Sequence, residues 1–183
     1  MRTPWRCGPS LAGSLLQLSD FGPGAFESPN SGGDSTAERA ACEASFDFPV
    51  PYGESIQFNG GQSYGPLMAQ GLYISPTPHG AERYLTQTRQ AIIDCASYVD
   101  PDGYNVTISE IGFANLGDDS VAYHITFEWP DGNTAFEFDR VTIREGLVAT
   151  VVGHLDLRFT DPAALEASAT IAVNRLAALP FNQ

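Results

Sequence analysis

Apolar and polar side chains alternate most regularly in the second half of the chain. In VAYHITFEW (121–129) every second residue is apolar, which is typical of a β-strand with one buried face. Three further strand-like runs accompany it, separated by short turns that contain glycine. These runs are NVTISEIGF (105–113), TAFEFDRVTIRE (134–145) and LVATVVGHL (147–155). The pattern predicts a four-stranded antiparallel meander.

One strand of this meander breaks the alternation. In the run from 134 to 145 the apolar positions change parity between Phe138 and Val141. A β-bulge would produce such a change, because one extra residue turns the following side chains to the other face. We therefore predict a bulge in this strand.

Two segments have the three- and four-residue spacing of helices. The first predicted helix starts after the cap Thr77, with Pro78 in its first turn, and the turn DPDG ends it. The residues on its inward face are Leu85, Thr88, Ile92, Cys95 and Val99. The second helix starts at Asp161 and Pro162 and continues through ALEASATIAVNRLAAL. We expect both helices to cover one face of the sheet.

The first half of the chain is less regular. SYGPLMAQGLYIS (63–75) is interpreted as the first substantial strand, and Pro66 favours an edge position or a later start. Residues 1–14 are predicted to be an irregular tail, and residues 15–183 one α+β domain. Its predicted order is a strand, a long helix, the meander and a C-terminal helix.

The charge of the chain narrows the range of partners. The 183 residues include 22 acidic residues and nine basic ones, all of them arginine, for a formal net charge of −13. Such a charge repels phosphate backbones, so we expect no nucleic-acid partner. No run of about 20 apolar residues is present, so we expect no transmembrane segment. The N-terminus, MRTPWRCGPSLAGSLLQLSD, is a poor signal peptide, which leaves an extracytoplasmic and a cytoplasmic location both open.

The three cysteines are Cys7, Cys42 and Cys95. In an exported protein Cys42 and Cys95 could pair, and closing that loop would contribute about 4 kcal/mol on the chain-entropy model. In a reducing compartment Cys95 would be a small buried hydrophobic side chain. No sequence signature supplies the neighbouring base that a catalytic cysteine needs. Cys7, in the tail, would be left over.

The polar residues of the meander offer one candidate acid–base or metal site. His124 and His154 lie on predicted strands, where Glu128, Glu137 or Asp139 could join them. No ligand motif such as HExxH or CxxC accompanies them, so we expect ordinary hydrogen-bonded histidines. The sequence indicates no catalytic residue and no nucleotide, metal or organic cofactor.

The aromatic residues of two neighbouring predicted strands form a second candidate site. Such a set either builds the core under the helices or lines an apolar ligand cleft. A large apolar set without a catalytic polar group fits binding better than turnover. The candidate cleft-lining residues are Tyr123, His124, Phe127, Trp129, Phe136, Phe138 and His154.

Several segments of the chain occur in an order that matches a known family. They are LLQLSDFGPGAF (15–26), Cys42 after a polar loop, Cys95 in the long helix, VTIREGLVATVVGHL (141–155) and DPAALEASATIAVNRL (161–176). Together they resemble the actinobacterial sensor-domain family of PknH-like extracellular domains and related lipoproteins.

This resemblance implies an extracytoplasmic α+β domain with a cleft, which senses or binds an unidentified ligand and has no enzymatic activity. It also implies a Cys42–Cys95 disulfide. The second disulfide that is common in the family has no counterpart here, because no cysteine follows Cys95.

Three hypotheses about function follow. The first is a non-catalytic, extracytoplasmic ligand-binding or sensor-like domain, whose ligand is an unknown small molecule, lipid or protein. The second is a small cytoplasmic enzyme that uses His124 or His154 with a carboxylate, which requires both histidines in one pocket. The third is a protein-interaction module, which an acidic patch beside an exposed apolar surface would favour.

Overall fold

The computed structural model describes residues 11–21, 25–27, 53–59, 67–156 and 161–179. Within these ranges, eight strands form one antiparallel sheet in the order β1-β2-β3-β8-β7-β6-β5-β4, and two α-helices pack on it. The strands are β1 (Phe26–Glu27), β2 (Gly53–Asn59), β3 (Leu67–Ile74), β4 (Ser97–Val99), β5 (Asn105–Glu110), β6 (Asp119–Glu128), β7 (Thr134–Glu145) and β8 (Val148–Asp156). The helices are α1 (Pro78–Asp94) and α2 (Pro162–Ala177). The predicted α+β class is confirmed.

The predicted meander is present as the four consecutive strands β5 to β8. Glycines at positive φ make its two tight turns, Gly132 (φ 83°) between β6 and β7 and Gly146 (φ 57°) between β7 and β8. Such backbone angles carry little cost for a residue without a Cβ atom. The strand β5 ends at Glu110, three residues before the predicted end.

Two differences concern the first half of the chain. The strand β3 starts at Leu67, directly after Pro66, as the later-start reading expected. It is an interior strand, however, because it pairs with β2 on one side and with β8 on the other. The strand β2 was not predicted, since its sequence GESIQFN has only two strongly apolar residues, Ile56 and Phe58, and the alternation is short.

The helix α1 begins as predicted but ends earlier. Thr77 is its N-cap, and the Thr77 hydroxyl accepts a hydrogen bond from the Gly80 amide at 3.2 Å. The helix ends at Asp94, Cys95 is its C-cap, and the next residues form β4, which pairs with β5. Val99 therefore lies on an edge strand and is 67% exposed, so its predicted place on the buried helix face was wrong. The other four predicted inward residues of α1 are buried.

The two helices lie on opposite faces of the sheet, not on one face as we expected. On the α1 face, Leu85 and Ile92 of the helix pack in one core cluster with Ile125 of β6. On the α2 face, Ala169 of the helix packs in another cluster with Ala122 of β6. Neighbouring side chains of one strand point to opposite faces. The middle of the sheet is consequently buried on both sides.

This two-sided burial explains the change of parity in β7. The strand pairs with β6 in continuous register from Phe136 to Arg144, so no bulge lies between Phe138 and Val141. Phe138 belongs to the cluster under α1, and Val141 belongs to the cluster under α2, so each face has its own apolar set. The irregularity of β7 lies at its start instead, where the pairs Phe127–Phe136 and Glu128–Thr134 leave Ala135 as an extra residue.

The N-terminal segment docks on the α2 face. A 3-10 helix (Leu11–Ser14) starts within the predicted tail, and Leu16 after it is almost fully buried in the α2-face core. The Leu16 amide donates a hydrogen bond to the buried side-chain oxygen of Gln70, at 2.6 Å. Arg175 of α2 donates to the Leu15 carbonyl at 2.9 Å and to the Asp20 carboxylate at 2.7 Å. These bonds connect the start of the domain to its last helix.

We expect Leu16→Ala to lower the free energy of unfolding by about 2–5 kcal/mol, because the substitution leaves a cavity in a closed core. The matched control is Leu18→Ala, two residues further along the same segment, where the side chain is 46% exposed. Its cost should stay within about 0.5 kcal/mol. Urea unfolding of both variants measures the difference, and equal losses would show that the segment does not dock as described.

An ion pair connects α1 to β6. Arg89 donates two hydrogen bonds to the Asp119 carboxylate, at 2.9 and 2.7 Å, and a third to the Ser120 carbonyl at 2.9 Å. The hydrogen bond from Arg89 is the main cause that lowers the pKa of Asp119. Both side chains are 39% exposed, so solvent screening limits what the pair contributes to stability.

A lowered pKa in the folded state means that Asp119 stabilises the fold at neutral pH and loses this effect as the pH falls below about 4. We expect Asp119→Asn to cost less than about 1 kcal/mol at pH 7. The difference from the wild type should shrink as the pH falls towards 2, because Asp119 takes up its proton as the pH falls through its lowered pKa. Urea unfolding at the two pH values tests this, with Glu166→Gln on exposed α2 surface as the control. A difference of the same size at both pH values would contradict the assignment.

Candidate functional site

An aromatic cluster lies at the margin of the α1-face core. Its rings pack on one another with centroids between 4.4 Å (Phe127–Phe136) and 6.1 Å (Tyr104–Phe127) apart. Such offset and edge-on contacts are the arrangements that aromatic rings prefer. The aromatic cluster consists of Tyr104, Phe127, Trp129, Phe136 and Phe138.

Two turns position the outer rings of the aromatic cluster. In the turn from β4 to β5, the Asp100 carboxylate accepts a hydrogen bond from the Tyr104 amide at 2.8 Å. In the turn from β6 to β7, the Trp129 amide donates to the Asn133 carbonyl at 2.8 Å. The ring centroids of Tyr104 and Trp129 are 4.6 Å apart. The pairing of β5 with β6 brings these two residues together, and the two polar turns fix the backbone next to each of them.

Exposure differs among the predicted cleft-lining aromatic residues. Tyr123 is buried under α1 and belongs to the core. Phe127, Phe136 and Phe138 are half-buried, whereas Trp129 is 48% exposed. Exposure to solvent therefore increases across the aromatic cluster, from the half-buried phenylalanines to an open edge at Trp129.

A cation already lies on one ring of the aromatic cluster. The guanidinium carbon of Arg140 is 5.2 Å from the centroid of the Phe138 ring, within the range of a cation–π contact. Gly153 lies opposite Arg140 on β8. The rings of this surface can thus accept positive charge on their faces.

The two predicted histidines lie on the other face of the sheet. His124, Asp139 and His154 are direct neighbours in the register of β6, β7 and β8, on the face that carries α2. Nδ1 of His124 and Oδ1 of Asp139 are 2.7 Å apart, and Asp139 and His154 are buried. The sheet thus separates both histidines from the aromatic cluster, and the seven candidate residues do not line one cleft.

The geometry of the histidines does not favour acid–base catalysis. Nε2 of His124 lies 3.8 Å from a Glu137 oxygen, so both ring nitrogens of His124 face carboxylates. One strand separates β6 from β8, which places the Cα atoms of His124 and His154 about 10 Å apart. Oδ2 of Asp139 and Nδ1 of His154 have no hydrogen-bond partner within the described part of the chain.

Two further observations concern the polar residues. Among the residues that the structure describes, no group of three or more histidine, cysteine or acidic side chains is arranged to hold a metal ion. His79, in the first turn of α1, is solvent-exposed and 3.6 Å from Glu82, as expected for a histidine at a helix start.

Tyr104 was not predicted as a site residue. Its neighbour relation to Trp129 depends on the pairing of β5 with β6, which brings Asn105 opposite Glu128. The available signal was the acidic turn DPDG directly before Tyr104, which resembles the turn PDGN directly after Trp129. The first turn precedes an aromatic residue and the second turn follows one, and both turns lie at the same end of the sheet.

No protein-family model matches the chain, and no curated protein does so either. Among solved structures, it is similar to the extracellular domain of PknH from Mycobacterium tuberculosis, with a TM-score of 0.56 and 16% sequence identity. The match covers 88% of this chain and 93% of that domain. The likeness shows a shared fold.

Neither α-helix in the described ranges has both the length and the apolar character that crossing a bilayer requires.

Proposed function

We propose that this chain is a non-catalytic, extracytoplasmic ligand-binding or sensor-like domain of the PknH-like family. The observation that carries the proposal is the open aromatic cluster, on a fold that an extracellular domain shares. Its ligand is a small molecule, a lipid or a protein segment that contacts Trp129.

The exposure of Trp129 supports a binding role for the aromatic cluster, because the fold does not require an aromatic side chain at this position. Trp129 lies in a turn whose backbone hydrogen bonds any residue could make, yet it exposes 48% of a large aromatic side chain. Aromatic residues dominate the energetics of binding surfaces, since they bury a large area with few rotatable bonds. An aromatic side chain at such a position therefore favours a role in contact with a ligand.

The enzyme hypothesis has less support. It required His124 and His154 in one pocket with a carboxylate, whereas Asp139 lies between them and His154 is buried. A general base must reach its substrate proton through a free nitrogen. In His124 both ring nitrogens already face carboxylates of β7.

The extracytoplasmic location is supported by the likeness to an extracellular domain, and the position of Cys95 fits the disulfide that the family resemblance implies. This residue caps α1 and packs in the α1-face core, where a disulfide would tie another segment to the helix. Cys42 lies outside the described residues, so the Cys42–Cys95 disulfide stays a prediction. The proposed partner segment is the polar loop before Cys42.

Ligand access to the aromatic cluster can be tested with the neutral fluorescent dye Nile red. We expect the dye to bind the wild type and to lose about tenfold in affinity in Trp129→Gln, because removing an exposed anchor of a binding surface costs 1–2 kcal/mol or more. The matched control is Ile93→Gln on α1, where an apolar side chain is 69% exposed outside the aromatic cluster. Equal effects of the two substitutions would remove the support for a binding surface at Trp129.

The location can be tested by peptide mapping of unreduced protein from its native host. We expect a linked peptide that contains Cys42 and Cys95, because disulfides persist in oxidising compartments outside the cytoplasm. Reduced and alkylated protein is the control for the assignment of the peptide. Two free thiols in protein that was alkylated at lysis would contradict the extracytoplasmic location.

A further inference from the structure

Negative charge is concentrated in the part of the chain that carries the aromatic cluster. From residue 94 to residue 139 there are ten carboxylates and neither arginine nor lysine. These are Asp94, Asp100, Asp102, Glu110, Asp118, Asp119, Glu128, Asp131, Glu137 and Asp139. Two of them, Asp118 and Asp119, pair with arginines from other segments.

Two exposed carboxylates next to the aromatic cluster have no such partner. Asp102 lies in the turn before Tyr104, and Asp131 lies in the turn after Trp129; neither forms an ion pair within the described residues. Hydrogen bonds from Asn133 lower the pKa of Asp131, so this carboxylate is ionised at neutral pH. Uncompensated charge thus flanks the open edge of the aromatic surface.

The spacing of the two turns is defined by the sheet. Residues 100–103 connect β4 to β5 and residues 129–133 connect β6 to β7, which places both turns at the same end of an antiparallel sheet. Their midpoints are two strand spacings, or about 10 Å, apart. The rings of Tyr104 and Trp129 belong to the surface between them.

We propose that this surface binds a basic peptide segment of a partner protein, in which an apolar side chain contacts Trp129 and Tyr104 and two cationic side chains reach the two acidic turns. This inference rests on the proposed function, because it uses the same aromatic cluster, and it specifies the class of ligand.

Charge and ring chemistry favour different parts of such a segment. Carboxylates on the rim attract a basic ligand and repel an acidic one. The exposed rings of the aromatic cluster offer an apolar surface for the side chain between the two cations. An acidic patch beside an exposed apolar residue is also the observation that favours a protein-interaction role.

The distance between the turns favours a peptide over a small organic cation. In an extended chain every second side chain points to the same side, and each residue advances the chain by about 3.3 Å. Two cationic residues four positions apart, with an apolar residue midway between them, therefore face the surface together at a spacing of about 13 Å, which long arginine side chains can adjust to turns about 10 Å apart. A single ammonium group would reach only one of the two turns. The surface therefore fits two basic residues that flank an apolar one.

The test uses fluorescence anisotropy of a peptide labelled with fluorescein at its N-terminus, Gly-Arg-Gly-Phe-Gly-Arg-Gly-amide, with the full chain. We expect binding that weakens about tenfold or more in Trp129→Ala. In the double variant Asp102→Asn, Asp131→Asn we expect a loss of about fivefold. The loss should shrink when sodium chloride rises from about 50 to about 200 mM, because salt screens exposed charges.

Two matched controls define the site. The double variant Glu82→Gln, Glu166→Gln removes the same amount of charge from exposed helix positions and should bind like the wild type. A peptide of the same composition with adjacent arginines should bind at least about threefold more weakly, since its charges cannot span both turns. Because the charge variants replace exposed side chains, they test the proposal even if Trp129→Ala disturbs folding.

Three results would overturn the inference. The first is an equal loss of peptide affinity in the two double variants. The second is equal affinity of the protein for the two arginine peptides. The third is displacement of the labelled peptide by choline at the same concentration at which unlabelled peptide displaces it. Nile red binding that depends on Trp129, together with no peptide binding, would reject the basic peptide and retain the proposed ligand-binding surface. Loss of both would reject the proposed function as well.

Discussion

The structure depends on the burial of the central strands from both sides. In β7, Val141 and Ile143 need cover on one face and Thr142 on the other, and all three are fully or almost fully buried. One helix cannot supply both covers, so α1 and α2 must lie on opposite faces. Each helix covers only part of its face, so the margins of the sheet stay partly exposed. The aromatic cluster belongs to the margin that α1 leaves half-covered.

Much of the fold could be predicted from the sequence, because its signals are local. The alternation in β6, the cap Thr77 and the glycines of the hairpin turns depend on neighbours within a few residues. The errors came from contacts between distant segments. Val99 fits a helical pattern, yet pairing with Asn105 places it in a strand. The parity change in β7 resembles a bulge until both helices are placed.

The candidate site was predicted only in part for the same reason. Tyr123 and His124 are adjacent in the sequence, but a strand turns them to opposite faces of the sheet. A list of chemically interesting residues from β6 and β7 therefore mixed two surfaces. Tyr104 was missed because only the pairing of β5 with β6 brings it to Trp129. To predict a site on a strand, each residue must first be assigned to one face of the sheet, because only residues on the same face can act together.

The position of β8 has a consequence for biosynthesis. This strand joins the two halves of the sheet, since it pairs with β3 on one side and β7 on the other. A chain that leaves the ribosome from its N-terminus exposes one edge of β3 until β8 has been made, and unpaired edges invite association with other chains. The contact of Arg175 with the Leu15 carbonyl forms later still, because α2 follows β8 in the chain. Such non-local pairing makes folding slow, so the open edge of β3 is the part of the nascent sheet most exposed to association.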